Sequence, residues 1–152
     1  MDEMIRSSLT PVPNFSRFIF LEPVARRFYP DWDVMARVNV AQLRTEAGRD
    51  PHDKALHELV GELSTRSDHF RQLWGQHDVW HQDAGTKRYH HHLIGDLTLH
   101  FNGLDLVGQP GVQLTVLTAE PGSADHQALK LLGVTAATAR VPDASSERTS
   151  RP

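Results

Sequence analysis

The 152-residue chain has no cysteine. Disulfides, thiolate metal sites and a cysteine nucleophile are therefore excluded. No apolar run approaches the ~18–20 residues that a membrane-spanning helix needs, and no signal peptide is visible, so the cytosol is the expected compartment. Basic clusters are missing as well. Sixteen Lys and Arg stand against 19 Asp and Glu, a net charge of −3, whereas DNA binding needs grouped cations to displace counterions. Direct nucleic-acid contact is not expected of this chain. There is also no Gly-x-Ser-x-Gly elbow, phosphate loop or dinucleotide fingerprint.

The length suits about one domain. Thr10-Pro11-Val12-Pro13-Asn14 is hostile to regular structure, so residues 1–14 read as a flexible leader. Pro, Ser, Thr and Arg crowd the far end, and residues 135–152 read as a disordered tail. The domain is expected over residues 15–134.

Phe18 to Leu21 is a short apolar run, either a strand or a buried helical turn; four residues cannot decide. Pro23 to Tyr29 looks helical, with proline in the first turn. Asp31 suits the N-cap of a longer helix to about Ala47, with Val34, Val38 and Ala41 as its apolar stripe and Gly48 as its end. Asp50-Pro51 starts another helix, whose face carries Leu56, Leu59, Val60 and Leu63. Ser67 caps a third with Phe70, Leu73 and Trp74, ended by Gly75.

The period then changes. Val79 to Gln82 and Thr86 to His91 read as extended segments around Asp83-Ala84-Gly85. Leu97, Leu99 and Phe101 alternate with polar residues, the pattern of a half-buried strand that Leu104 and Leu106 continue. Val112 to Ala119 makes another strand. The reversal is placed at Gly108-Gln109-Pro110-Gly111, and Asn102-Gly103 is read as a bulge or kink. A last helix spans Ser123 to Leu132, with Ala128, Leu129 and Leu132 inward. Helices, an antiparallel meander and a closing helix imply an α+β fold, helices packed on an antiparallel sheet.

Several stretches share an order that carries more than each piece alone. They are Phe20-Leu21-Glu22-Pro23, Arg26, Phe28-Tyr29-Pro30-Asp31-Trp32, Leu43 to Gly48, Leu59 to Ser64, Ser67-x-x-Phe70-x-x-Leu73-Trp74, His77-Asp78-Val79, Lys87-Arg88, His91, Gly95-x-Leu97 and Thr118 to Ser123. In this order they resemble the ligand-binding domain of MmyB-like bacterial transcription regulators, the C-terminal partner of a helix-turn-helix domain of the Cro/repressor type. The resemblance implies a PAS-like fold and a non-enzymatic sensor of a small lipidic, fatty-acid-like molecule. It implies DNA contact only through the helix-turn-helix of full-length relatives. Two departures stand out: the helix-turn-helix and the sensor's opening strands are not seen here, and His92 replaces a usual proline. A sheet without its first strands exposes an edge, which invites a homodimer or pairing with a full-length relative.

An apolar cavity is expected between the helix of Phe70 and Trp74 and the inner face of Leu97, Leu99 and Phe101; the same residues could instead fill a core. Val79, His91 and Val116 complete the candidate lining, with Trp74, His77 and Arg88 as amphipathic or polar contacts. Arg88 suits a carboxylate through two donors, or stands as a solvated strand residue beside Lys87. His77-Asp78 is a proton-holding pair or a satisfied helix end. A competing reading is a small metal-dependent enzyme: on a strand His90 and His92 share a face, and His77, His81 or Asp78 would complete a ligand set. The bland alternative is exposed strand histidines with His91 partly buried. No metal or cofactor is assigned.

Overall fold

The computed structural model describes residues 14–76, 84–109 and 111–139. Helix α1, Phe15–Leu21, resolves the ambiguous apolar run. Asn14 Oδ1 caps it, accepting from Arg17 N at 3.0 Å. Helix α2, Pro23–Phe28, begins on its proline, and α3, Trp32–Arg49, follows Asp31. Helix α4 is Lys54–Arg66 and α5 is Asp68–Gly75. Three antiparallel strands come next, β1 Ala84–His91, β2 Gly95–Asp105 and β3 Gln113–Thr118, in the order β1-β2-β3. Helix α6, Ala124–Ala139, ends the described chain. Helices on an antiparallel sheet make the fold α+β, as the element order implies.

Two apolar clusters share α3. On the sheet side Phe18, Ile19, Tyr29, Trp32 and Met35 meet Tyr89, Leu97 and Leu99. On the helical side Val40 and Leu43 meet Leu56, Leu59, Leu63 and Phe70. Phe20 and Leu73 lean on both clusters. The rings at the corner meet edge to face, Phe28 and Tyr29 at 4.9 Å and Phe28 and Tyr89 at 5.6 Å, the arrangement that aromatic quadrupoles favour. Trp32 Nε1 donates to the buried carbonyl of Ile19 at 3.0 Å, fastening the start of α3 to α1. Glu62 accepts from Arg17 at 2.7 Å and from Arg66 at 2.6 Å, tying α1 to α4.

Local chemistry explains the agreements and the corrections. Ser67 does cap α5, its hydroxyl accepting from Phe70 N at 3.2 Å. The α4 cap is Asp53, which accepts from Leu56 N at 3.1 Å; Asp50 instead closes a turn onto His52 N. Helix α3 passes Gly48 and stops at Arg49. Its buried face is Trp32, Met35, Ala36, Asn39, Val40 and Leu43, and the Val34–Val38 stripe lies outside it, with Val34 40% exposed. Asn102-Gly103 forms neither turn nor bulge. Pairing runs unbroken from His100↔Thr118 to Asp105↔Gln113, and Gly103 lacks the positive φ that a two-residue hairpin turn demands. The reversal falls where Gly108 (φ 84°) and Gly111 (φ 86°) adopt left-handed backbone. Ala84 and Gly85 belong to β1 and not to a turn, and Leu106 lies beyond β2. Helix α6 runs on to Ala139 through Gly133, past the expected stop at Leu132; an isolated glycine costs a helix only about 1 kcal/mol. The rest of the leader and tail, and the expected strand Val79 to Gln82, lie outside the described residues.

Phe70 has no exposed surface. Phe70→Ala is expected to lower the unfolding free energy by about 3–5 kcal/mol. Leu114→Ala, on the exposed β3, should change it far less; urea unfolding followed by circular dichroism reads both.

Candidate functional site

Strand period two sets up the site. Along β1, Lys87, Tyr89 and His91 turn toward the helices while Thr86, Arg88 and His90 turn outward. Lys87 pairs with Leu99, which leaves Phe101 on the diagonal, within reach of a long side chain. The Lys87 Nζ stands 4.2 Å from the Phe101 ring centroid. A cation over an aromatic face is worth about 0.5–2 kcal/mol. Burial holds the Lys87 ammonium below its ordinary pKa. Among the described residues, Lys87 forms no ion pair with a carboxylate.

Helix α3 supplies the opposite wall. Asp31 is its N-cap residue by position, yet its side chain caps no helix N–H. The carboxylate is taken by Arg88 through two donors, one of them Nε to Oδ2 at 2.7 Å. Those hydrogen bonds hold the Asp31 carboxyl below the usual carboxylate range and raise the pKa of Arg88. At the other end of α3 a Cβ placed on Gly111 would stand 3.0 Å from Arg49 Nη1, so the hairpin tip abuts the helix terminus. Between these points Val34 and Val38 overhang the sheet. They leave a wedge of about 270 Å³, closed by Met35, Thr86, Lys87, Arg88, Asp31 and Phe101. Ligand pockets usually hold roughly 300–1,000 Å³, so the wedge lies just below that range. Val34, Met35, Val38 and Phe101 make its apolar lining, with Lys87 and the Asp31–Arg88 pair as its charged groups.

The sequence-derived set does not assemble as expected. Phe70 and Trp74 belong to the helical cluster, their rings stacked at 5.6 Å, whereas Leu97 and Leu99 belong to the sheet-side cluster. The two sets of expected lining residues thus fall in separate clusters, bridged by Phe20 and Leu73. Trp74 lies under Arg44, whose Nη2 also donates to the carbonyls of Leu73 at 2.8 Å and Trp74 at 2.7 Å, closing the end of α5. Val116 pairs with Asn102 and so faces away from the helices; Leu117, opposite Phe101, is the inward residue on β3. His91 is buried beside Phe28 and stacks on His92 at 4.7 Å, away from the wedge. His77 and Val79 lie outside the described residues. Among the described members of the set, Phe101 and Arg88 alone line the wedge. Asp31, Val34, Met35, Val38, Thr86 and Lys87 were missed as site residues, although the parity of Tyr89 and His91 would have turned Lys87 inward.

His90 and His92 do not share a strand face, because strand β1 ends at His91 and His92 enters the turn. His90 is engaged by Asp96 at 2.6 Å. Among the described residues no group of three or more His, Asp or Glu is placed to hold a metal ion; His77, Asp78 and His81 are not among them. No described helix is long and apolar enough to cross a membrane.

The family model of the MmyB-like transcription regulator ligand binding domain matches residues 3–132. The chain belongs to this family. No curated protein matches it in sequence. The MmyB-like assignment makes the chain a regulator's ligand-binding domain, and the wedge under α3 is a concave site among its described residues.

A lowered carboxyl pKa means that the Asp31–Arg88 pair favours the folded state at neutral pH and is lost as pH falls through the folded-state pKa of Asp31. Arg88→Gln should raise that pKa toward 3.8. An NMR titration of the Asp31 carboxyl checks it, and an unmoved midpoint would contradict the pair.

Proposed function

We propose that the chain is the effector-sensing part of a bacterial transcription regulator, that it takes a small fatty-acid-like molecule into the wedge under α3, and that it acts by binding and not by catalysis. The observation that carries this is the wedge itself: apolar walls from Val34, Met35, Val38 and Phe101 facing a half-buried ammonium at Lys87. Burying acyl carbons there contributes about 0.8 kcal/mol per CH₂, and the carboxylate end meets Lys87. A regulator needs the effector to bind one arrangement better than another. Helix α3 suits that requirement because it belongs to both clusters, so displacing it alters both. The PAS-like description and a cytosolic setting belong to the same reading.

Calorimetric titration with octanoate tests it. Binding should disappear in Val38→Trp, which fills the wedge. It should weaken about tenfold or more in Lys87→Met, in line with roughly 1.5–3 kcal/mol for a hydrogen bond to a charged group. Val38→Trp binding as tightly as the wild type would sink the reading.

The same proposal gives β3 a partner, a second copy or a full-length relative. Its outer edge has no neighbouring strand among the described residues. Leu114, Val116 and Leu117 are 54%, 36% and 40% exposed. The strand has no lysine, proline or charge of the kind that guards an edge. Light scattering across a concentration series should report a dimer that Val116→Lys dissociates; a monomer at every concentration counts against it.

A further inference from the structure

The chain has three lysines, Lys54, Lys87 and Lys130. Lys54 and Lys130 are exposed on helices, and Lys87 is half-buried on the inward face of β1. A lysine of that kind ordinarily lifts its head into water or meets a carboxylate. Lys87 does neither. The one acid of the wedge, Asp31, is occupied at both oxygens by Arg88. That pairing also balances the guanidinium charge beside the wedge. The Lys87 head rests on the Phe101 ring instead, and the wedge opens against it between Val34, Met35 and Val38. Burial holds the Lys87 pKa below its ordinary value. A lysine amine at the wall of an apolar hollow is, in its unprotonated form, a nucleophile toward carbonyl carbon.

We propose that Lys87 is a covalent capture site for a small aldehyde with an apolar tail, held as an imine inside the wedge. The Nζ lone pair attacks the carbonyl carbon, and the C=O π pair moves to oxygen. One N–H proton is transferred to that oxygen to give the carbinolamine. The C–O bond then breaks as the C=N bond forms, and the oxygen leaves with the second N–H proton as water. One amine and one aldehyde become one imine and one water, with no change of oxidation state and no co-reactant. The tail lies along Val34 and Val38, where it limits access of the water that would reverse the step. The inference goes beyond effector sensing and requires only the wedge. Octanoate cannot form an imine, so a failure of calorimetric acid binding and a failure of aldehyde capture are separate results.

The test uses the whole chain with hexanal at limiting concentration, trapped by cyanoborohydride near neutral pH, with peptide mapping of the three lysines by mass spectrometry. In folded protein, Lys87 should carry more adduct than Lys54 and Lys130 together, although it is the least accessible. The preference should vanish in urea and in Val38→Trp, whose fold circular dichroism verifies. Adduct that follows exposure, with Lys87 the least labelled, overturns the proposal. So does a Lys87 preference that persists in Val38→Trp.

Discussion

Helix α3 must cover two cores at once, and the remaining architecture follows from how it divides its surface. Eighteen residues give it a length of about 27 Å, enough to pass from the sheet to the helical pair α4–α5. Trp32, Met35 and Ala36 serve the sheet side; Val40 and Leu43 serve the helices. The Trp32–Ile19 hydrogen bond fastens its start. At 3.6 residues per turn, Val34 and Val38 fall together on a flank that neither core uses. Where that flank passes over β1 and β2, side chains from the two layers do not meet, and the wedge is what remains.

The electrostatics of the wedge follow from a substitution of partners. An aspartate at an N-cap ordinarily accepts from the first helix N–H groups. Asp31 gives its carboxylate to Arg88 on β1. The helix loses a local cap and gains a link to the sheet. That leaves Lys87 to rest on a ring. An inward-facing lysine with no ion pair in the described region is a poor stability device, since burial penalises its charge. It is well placed to meet something from outside. The Arg44 fork on the carbonyls that end α5 is the contrasting case, a buried-edge cation fully engaged in structure.

Much of this was legible along the chain because it rests on neighbours three or four residues apart. The Leu56, Leu59 and Leu63 face, the Ser67 cap and the inward alternation of Leu97, Leu99 and Phe101 all hold. The failures share a cause. Helix α3 has two apolar stripes, and spacing alone cannot say which one meets the core; Val34 and Val38 were assigned to it although the wider stripe through Trp32 won. Asp50 and Asp53 are both good caps, and only chain geometry selects Asp53. Val116 and Leu117 differ by one position, so the sheet register decides which points inward. Phe70 and Leu97 fall in different clusters, which nothing local along the chain reveals.

By itself, the sequence determined the family, the α+β order of elements and the apolar face of each short element. These depend on periodicity, turn chemistry and an ordered set of motifs within the linear chain. The tertiary structure decided the wedge under α3, the pairing of Asp31 with Arg88 and the orientation of Lys87 toward an apolar hollow. Those depend on the angle and offset at which a helix crosses a sheet 57 positions away, a distance over which local patterns carry no information.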